Sequence, residues 1–196
     1  MTGSNCEYVA DITDTTIPGT YDITDHDTAE KEIINYLTHH ISTVLKNPPS
    51  PHVIMLSGGI DSILVATIAA SLTDDLRAVT VAHPGNDDAQ QELSIARDVS
   101  HVLGIEHDTI TPDSDQWLEI VTDTVTRLNS SDPWEVIAGA TLRAVDIHAQ
   151  EHSLPGALLT GGGADVLFMG GSSVPPKLPE WDNALRGQVS SSFTRD

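Results

Sequence analysis

Cysteine is almost absent from this sequence, since Cys6 is the only one among 196 residues. A single thiol cannot form an internal disulfide, a CxxC redox pair or a multi-cysteine zinc site, so these sites are excluded within the chain. The sequence also lacks any run of about 18 apolar residues that could cross a bilayer. Residues 1–14 lack the basic and apolar regions of a signal peptide. We therefore expect a cytoplasmic protein in a reducing environment, with no membrane partner.

Basic residues are scarce as well. Nine Lys and Arg stand against 29 Asp and Glu, and the formal net charge of −20 is spread over the whole chain. Such a charge repels nucleic acid and anionic membrane surfaces, so neither is expected as a partner. The acidity fits either a salt-rich cytoplasm or a compositional bias of the genome, and the sequence does not separate the two.

Short apolar segments alternate with longer segments of helical character. Strands separated by crossover helices predict an α/β protein whose parallel, twisted sheet carries helices on both faces, in a Rossmann-like three-layer arrangement. Such sheets bind ligands beyond the carboxyl ends of their strands. The predicted strands cover residues 52–56, 77–82, 105–110 and 156–160, and the predicted helices run from Asp27 to the NPPSP segment and over residues 61–72, 88–103, 112–128 and 132–151.

Two helix starts are predicted from capping patterns. Asp27 is followed three residues later by Glu30, which is a capping-box pattern ahead of an apolar helical face. Asp132, Pro133 and Glu135 supply an N-cap acid, a proline at the first helical position and a capping-box acid. Helices are therefore expected to begin at both points.

The stretch SGGIDS, residues 57–62, joins the first predicted strand to a helix. Gly58 and Gly59 let backbone N–H groups approach an anion, and the helix N-terminus adds partial positive charge. Ser57 and Ser62 can add hydroxyl donors. Asp61 would be repelled by phosphate unless a divalent cation lay between them, so it predicts Mg²⁺. The stretch matches neither GxxxxGK[ST] nor GxGxxG, and the alternative is a tight turn with Asp61 as an ordinary capping acid.

The SGGxDS string between strand and helix resembles the PP-loop of the ATP pyrophosphatase superfamily. The resemblance implies an adenine nucleotide α-hydrolase-like fold. It also implies that the loop grips the pyrophosphate portion of ATP during cleavage between the α- and β-phosphates.

A second glycine-rich turn lies in LLTGGGADVLFMGG, residues 158–171. This segment resembles the SGxGxDExxGG signature of the asparagine synthetase synthetase domain. The resemblance implies that Asp165 is a second Mg²⁺ ligand facing Asp61, with Gly161, Gly162 and Gly163 beside the nucleotide. A helix N-cap is the alternative role for Asp165.

The segment between the two turns, which contains LGIEH, is also similar to that family. The resemblance implies that Val81, Ala82 and His83 lie against adenosine, although His83 is also compatible with an ordinary surface position. It covers about residues 28–171, so we expect an ATP-binding domain over residues 27–171, an N-terminal arm over 1–26, and a loop and tail over 172–196.

The sequence departs from the family pattern around the acceptor substrate. Val166 stands where an acid usually follows the second Mg²⁺ ligand, and Lys177 is only a weak candidate for the family's downstream catalytic lysine. Asp132 and Glu135 lie where the family places acids near the acceptor, yet both are explained as caps. Because Cys6 is not at the chain start and about 25 preceding residues cannot form a glutamine-hydrolysing domain, ammonia is expected from elsewhere.

The resemblance therefore implies a carbon–nitrogen ligase that uses Mg²⁺ and ATP to activate a carboxylate as its acyl-adenylate, with release of pyrophosphate. Two alternatives remain open. One is a shortened ATP- or AMP-binding module that needs a partner chain for turnover, and the other is an inactive scaffold domain whose acids hold no metal.

Overall fold

The computed structural model describes residues 25–46, 48–82 and 89–164 of the chain. No helix in these ranges is both long and apolar enough to cross a membrane. The elements are α1 (His26–Val44), β1 (His52–Met55), α2 (Ile60–Leu72), β2 (Leu76–Val81), α3 (Ala89–Leu103), β3 (Glu106–Ile110), α4 (Ser114–Leu128), α5 (Pro133–Glu151) and β4 (Leu158–Leu159).

The four strands form one parallel sheet in the order β3-β2-β1-β4. The expected parallel α/β architecture is therefore confirmed. In this order β1 and β4 are neighbours, with Val53 opposite Leu158 and Ile54 opposite Leu159. Parallel neighbours end at the same edge of a sheet, so the two glycine-rich turns leave it side by side.

The alternation of side chains along each strand builds a separate core on each face of the sheet. On one face, Ile54, Leu56 and Ala78 pack in a buried cluster with residues of α1, α2 and α3. On the other face, Val53 and Val79 pack with Val145 of α5 and Leu154. Helices thus cover both faces, as the sequence predicts.

Aspartate residues cap three of the helices. In α1 the cap is Asp25, whose carboxylate accepts a hydrogen bond from the Thr28 N–H at 2.9 Å. The prediction of Asp27 as the N-cap is therefore wrong by two residues. Asp27 lies within the first helical turn, where its negative charge interacts favourably with the positive end of the helix dipole. Asp113 forms a capping box with Gln116 at the start of α4.

Candidate nucleotide site

The turn between β1 and α2 requires glycine at its first bend. Gly58 has a φ of +80°, and a Cβ atom there would lie 2.8 Å from the carbonyl oxygen of Glu92 and 3.2 Å from Cβ of Ile95. Both a positive φ and close packing against α3 therefore exclude a side chain. This packing holds the turn between β1 and the first turns of α3.

The two serines of the turn are hydrogen-bonded to each other and to its backbone. The buried Ser62 hydroxyl accepts from the Ser57 N–H at 3.2 Å and donates to the Gly59 carbonyl at 2.9 Å. Its oxygen lies 3.1 Å from Oγ of Ser57, which accepts from the Gly59 N–H at 3.3 Å. Ser62 thus gives its single proton to the turn itself, whereas Ser57 is exposed. A phosphate contact by either hydroxyl stays a prediction.

The N-terminus of α2 differs from those of α1, α4 and α5. Its N-cap residue is Gly59, and no side chain among the described residues makes a capping hydrogen bond to the first turn. The other three helices each carry an aspartate that accepts from backbone N–H groups. The amide groups and the positive end of the α2 dipole are therefore open to an external anion at this point.

The second glycine turn lies directly against this helix start. A Cβ atom on Gly161 would lie 2.6 Å from the backbone nitrogen of Ser62 and 2.8 Å from the carbonyl carbon of Asp61. The absence of a side chain is thus what lets the chain leaving β4 approach the first turn of α2. Thr160 stabilises the turn by accepting the Gly162 N–H through its hydroxyl at 3.2 Å, and Gly163 has a φ of +90°.

The residues around the turn fit a magnesium ion bound together with a nucleotide. Asp61, half-buried in the first turn of α2, supplies hard carboxylate oxygens. Among the described residues no cluster of three or more His, Cys, Asp or Glu side chains could hold a metal without help. Magnesium commonly binds through one or two carboxylates and takes its other ligands from phosphates and water, so this donor set suits it.

The other predicted nucleotide contacts are placed only in part. Val81 ends β2 at the same edge of the sheet and Ala82 follows it, both half-buried, and the Ala82 N–H donates to the Ile110 carbonyl at 2.8 Å. His83, Asp165 and Lys177 lie outside the described residues, so their predicted roles stay predictions.

The two acids predicted near the acceptor substrate are engaged at the start of α5. One carboxylate oxygen of Asp132 accepts from the N–H groups of Trp134 and Glu135 at 3.0 and 3.1 Å. The Glu135 carboxylate accepts from the hydroxyl of the buried Ser130 at 2.5 Å. The Asp132 bonds confirm its predicted role as the N-cap. The Asp132 N–H donates to the Ser130 hydroxyl at 3.2 Å, so Glu135 reaches the cap through Ser130 and not as the predicted direct capping-box acid. A role of either acid in acceptor binding stays a prediction.

Sequence reasoning assigned no role to Thr80 or His107, which lie beside the phosphate turn. The Thr80 hydroxyl is 2.6 Å from the carbonyl oxygen of Leu56 and 2.8 Å from Nε2 of His107. Burial lowers the pKa of His107, the nearby positive charge of Arg97 lowers it further, and Asp108 opposes both effects. Two signals pointed here: a threonine on the core face of a strand end, and the histidine that closes LGIEH.

The domain has a parallel α/β sheet, a glycine turn that leads from one strand into an uncapped helix, and a second glycine turn packed against that helix start. These features are those of the adenine nucleotide α-hydrolase-like, PP-loop class of domain. The sequence pattern of the asparagine synthase family matches residues 50–195. The chain therefore belongs to the asparagine synthase family, which confirms the resemblance drawn from its two signatures.

Individual relatives agree with this assignment. The chain is 28% identical over 122 residues to the glutamine-hydrolysing asparagine synthetases of Cricetulus griseus and Mus musculus, covering 59% of this chain and 21% of each relative. It thus spans about a fifth of their length. The glutamine-dependent NAD+ synthetase of Acinetobacter baumannii, solved with ADP, superposes with a TM-score of 0.53 at 17% identity, covering 74% of this chain and 28% of that one. This likeness supports the fold alone.

Proposed function

We propose that this domain binds Mg-ATP across its two glycine turns and activates a carboxylate for amide bond formation, with AMP and pyrophosphate as the products from ATP. The observation that carries the proposal is the uncapped start of α2, which faces the turn after β4 through Gly161. Membership of the asparagine synthase family supports the same chemistry.

The β1–α2 turn is suited to bind the β- and γ-phosphates. The backbone N–H of Gly58 and the uncapped N–H groups in the first turn of α2, together with the helix dipole, stabilise the negative charge that grows on pyrophosphate as it leaves. These groups are held in place by the serine hydrogen bonds and by packing against α3. They need not reorganise as the charge develops, which is the condition for effective electrostatic catalysis.

The proposed reaction has two steps. An oxygen of the substrate carboxylate attacks the α-phosphorus, and the bond from that phosphorus to the bridging oxygen of the β-phosphate breaks, so pyrophosphate leaves. An amine or ammonia then attacks the acyl carbon of the acyl-adenylate, and AMP leaves with the electron pair of the broken C–O bond. The nitrogen loses a proton to solvent or to a base. Asp61 and Asp165 would hold magnesium, which neutralises charge on the phosphates.

A second candidate is an ATP- or AMP-binding module that needs a partner chain to complete the acceptor site. The engagement of Asp132 and Glu135 as structural acids at the start of α5 favours it. The nucleotide site is the same in both candidates. They differ in whether this chain alone turns ATP over.

The experiment is incubation of the purified protein with α-labelled ATP and Mg²⁺, with and without pools of amino acids and carboxylic acids, followed by separation of AMP from ADP. The proposed function predicts AMP that depends on an added acid, with an equimolar amount of pyrophosphate. Bound but intact ATP supports the module that requires a partner. Formation of ADP, or binding of neither ATP nor AMP, contradicts both candidates.

A further inference from the structure

We propose that Thr80 and His107 are positioning residues of the phosphate turn, acting on it through the carbonyl of Leu56. This inference rests on the proposed function, because it assigns how the phosphate-binding turn is kept in its binding geometry. Neither residue is assigned a contact with the nucleotide.

The direction of the hydrogen bonds follows from the groups present. The Leu56 carbonyl can only accept, so the single hydroxyl proton of Thr80 goes to it across 2.6 Å. The Thr80 oxygen must then accept from the His107 ring across 2.8 Å, which places a proton on Nε2 of that ring. Thr80 is 5% exposed and Leu56 is 1% exposed, so water does not compete with this pair.

The Leu56 carbonyl lies between the end of β1 and the phosphate turn. The register of β1 with β2 ends at Met55 opposite Val79, and the Leu56 N–H still donates to the Val79 carbonyl at 3.0 Å. The Thr80 side chain thus adds a hydrogen bond between the two strands beyond their last paired residues. It contacts the last carbonyl before the turn begins.

This carbonyl shares one rigid peptide plane with the N–H of Ser57. Thr80 binds the oxygen of that plane, and Ser62 accepts its N–H at 3.2 Å. Rotation of the plane would break both bonds at once. The orientation of the first peptide of the turn is therefore set from β2 and β3 on one side and from α2 on the other.

Nε2 of His107 can donate to Thr80 in both the neutral and the protonated ring, and the environment favours the neutral one. Its pKa is lowered first by burial and then by Arg97, against the opposing effect of Asp108. A neutral imidazole has one N–H group, and the geometry puts it toward Thr80. His107, the last residue of LGIEH, thereby connects the start of β3 to the phosphate turn through Thr80.

The test uses two pairs of matched variants in the full chain. Thr80→Val removes the hydroxyl while keeping the branched shape, and Thr80→Ser restores the hydroxyl. His107→Leu removes the donor, and His107→Gln returns an N–H near the position of Nε2. Calorimetry measures the Kd for magnesium pyrophosphate and for adenosine, and thermal melting reports on the fold.

Thr80→Val and His107→Leu are expected to weaken pyrophosphate binding by about fivefold, the effect of one buried hydrogen bond, with adenosine binding unchanged. Thr80→Ser and His107→Gln are expected to bind pyrophosphate like the wild type. The inference is overturned if Thr80→Val matches the wild type, if Thr80→Ser is as weak as Thr80→Val, or if pyrophosphate and adenosine binding fall together.

A second pair of variants and the binding measured for the wild type distinguish the possible outcomes. If Thr80→Val does not fold, the comparison of His107→Leu with His107→Gln gives the result, because this pair changes a half-buried residue. If the wild type binds neither Mg-ATP nor pyrophosphate, the proposed function fails and this inference fails with it. If the wild type binds both and all four variants bind equally well, only this inference fails.

Discussion

The starts of α2 and α5 look alike in sequence and differ in structure. Each begins after a short polar turn and has an acid in its first turn, Asp61 in α2 and Glu135 in α5. At α5 the cap position is Asp132, whose carboxylate accepts two backbone N–H groups. At α2 the cap position is Gly59, and in the described part of the chain no side chain makes a capping hydrogen bond to the helix end.

The difference shows how a helix start that binds an anion can be distinguished from one that is only structural. An aspartate cap satisfies the first N–H groups and adds negative charge, and both effects disfavour a phosphate. A glycine cap leaves those groups to a ligand, and the neighbouring Gly161 adds no side chain of its own beside them. The SGGIDS turn lies at the second kind of helix start.

The largest effect is expected from closing the space beside α2. In Gly161→Ala the new Cβ would lie 2.6 Å from the Ser62 nitrogen, which is backbone and cannot move alone. We expect a loss of about 1–3 kcal/mol in the free energy of unfolding, from overpacking, together with loss of Mg-ATP binding. Urea denaturation and calorimetry measure the two.

The matched stability control is Gly162→Ala, whose Cβ would meet, among the described residues, only the Thr160 hydroxyl at 3.4 Å. It is expected to unfold close to the wild type. Equal stability losses in Gly161→Ala and Gly162→Ala would show that the close approach of the two turns is wrong.

The next largest effect is expected at Gly58. A comparison with Gly104 separates the contribution of backbone strain from that of packing at the phosphate turn. Gly58 and Gly104 both have a positive φ, +80° and +69°. A Cβ atom at Gly58 would lie 2.8 Å from the Glu92 carbonyl oxygen, whereas a Cβ atom at Gly104 would meet no atom of the described residues within 4 Å. Alanine at Gly104 should lower the free energy of unfolding by about 1 kcal/mol and leave Mg-ATP affinity intact. Alanine at Gly58 should lower both. Identical behaviour of the two variants contradicts the packing of the turn on α3.

A smaller effect is expected at the start of α5. Asp132→Ala should lower the free energy of unfolding by about 1 kcal/mol, because the cap is lost, whereas Asp132→Asn should keep most of it. Mg-ATP affinity should equal that of the wild type in both variants. If Asp132→Asn is stable and binds Mg-ATP yet forms less AMP, the acid acts on the acceptor substrate and the contrast between the two helix starts is weaker than proposed.

The smallest effect is a pH dependence at His107. Its pKa is lowered in the folded protein from an ordinary value of 6.5, so the unfolded chain takes up the proton first as the pH falls. The free energy of unfolding should therefore decrease as the pH is lowered from above about 6.5 toward about 5. In His107→Gln this decrease should be smaller, as measured by urea denaturation at each pH. An equal decrease in both proteins shows that His107 is not buried as described.

Local structure was largely predictable from the sequence. The strand predicted over residues 52–56 is observed as His52–Met55, and the helix predicted over 61–72 as Ile60–Leu72. Asp132 followed by Pro133 marks the start of α5 correctly, because capping depends on neighbours in the chain. The exception is α1, where two aspartates compete and the one with extended backbone, Asp25, becomes the cap.

Contacts between distant segments could not be predicted in the same way. The strand order depends on which strands pair, and residue type at Leu158–Leu159 does not identify β1 as the partner. The contact of Gly161 with α2 follows from that pairing. The family resemblance implied that Asp61 and Asp165 face each other, and Asp165 lies outside the described residues. The bond from Thr80 to the Leu56 carbonyl connects residues 24 apart, so the sequence around Thr80 does not identify Leu56 as its partner.

The most direct test of the central claim is the calorimetric affinity of Asp61→Asn for ATP, with and without Mg²⁺. The matched control is Asp74→Asn, which removes the same charge from an exposed position beyond the other end of α2. With Mg²⁺, Asp61→Asn should bind ATP at least about tenfold more weakly than the wild type and Asp74→Asn. Without Mg²⁺, it should bind ATP at least as well as the wild type, because a negative charge beside the phosphates has been removed. An Mg-ATP affinity unchanged by Asp61→Asn would contradict the metal site and support an idle scaffold domain.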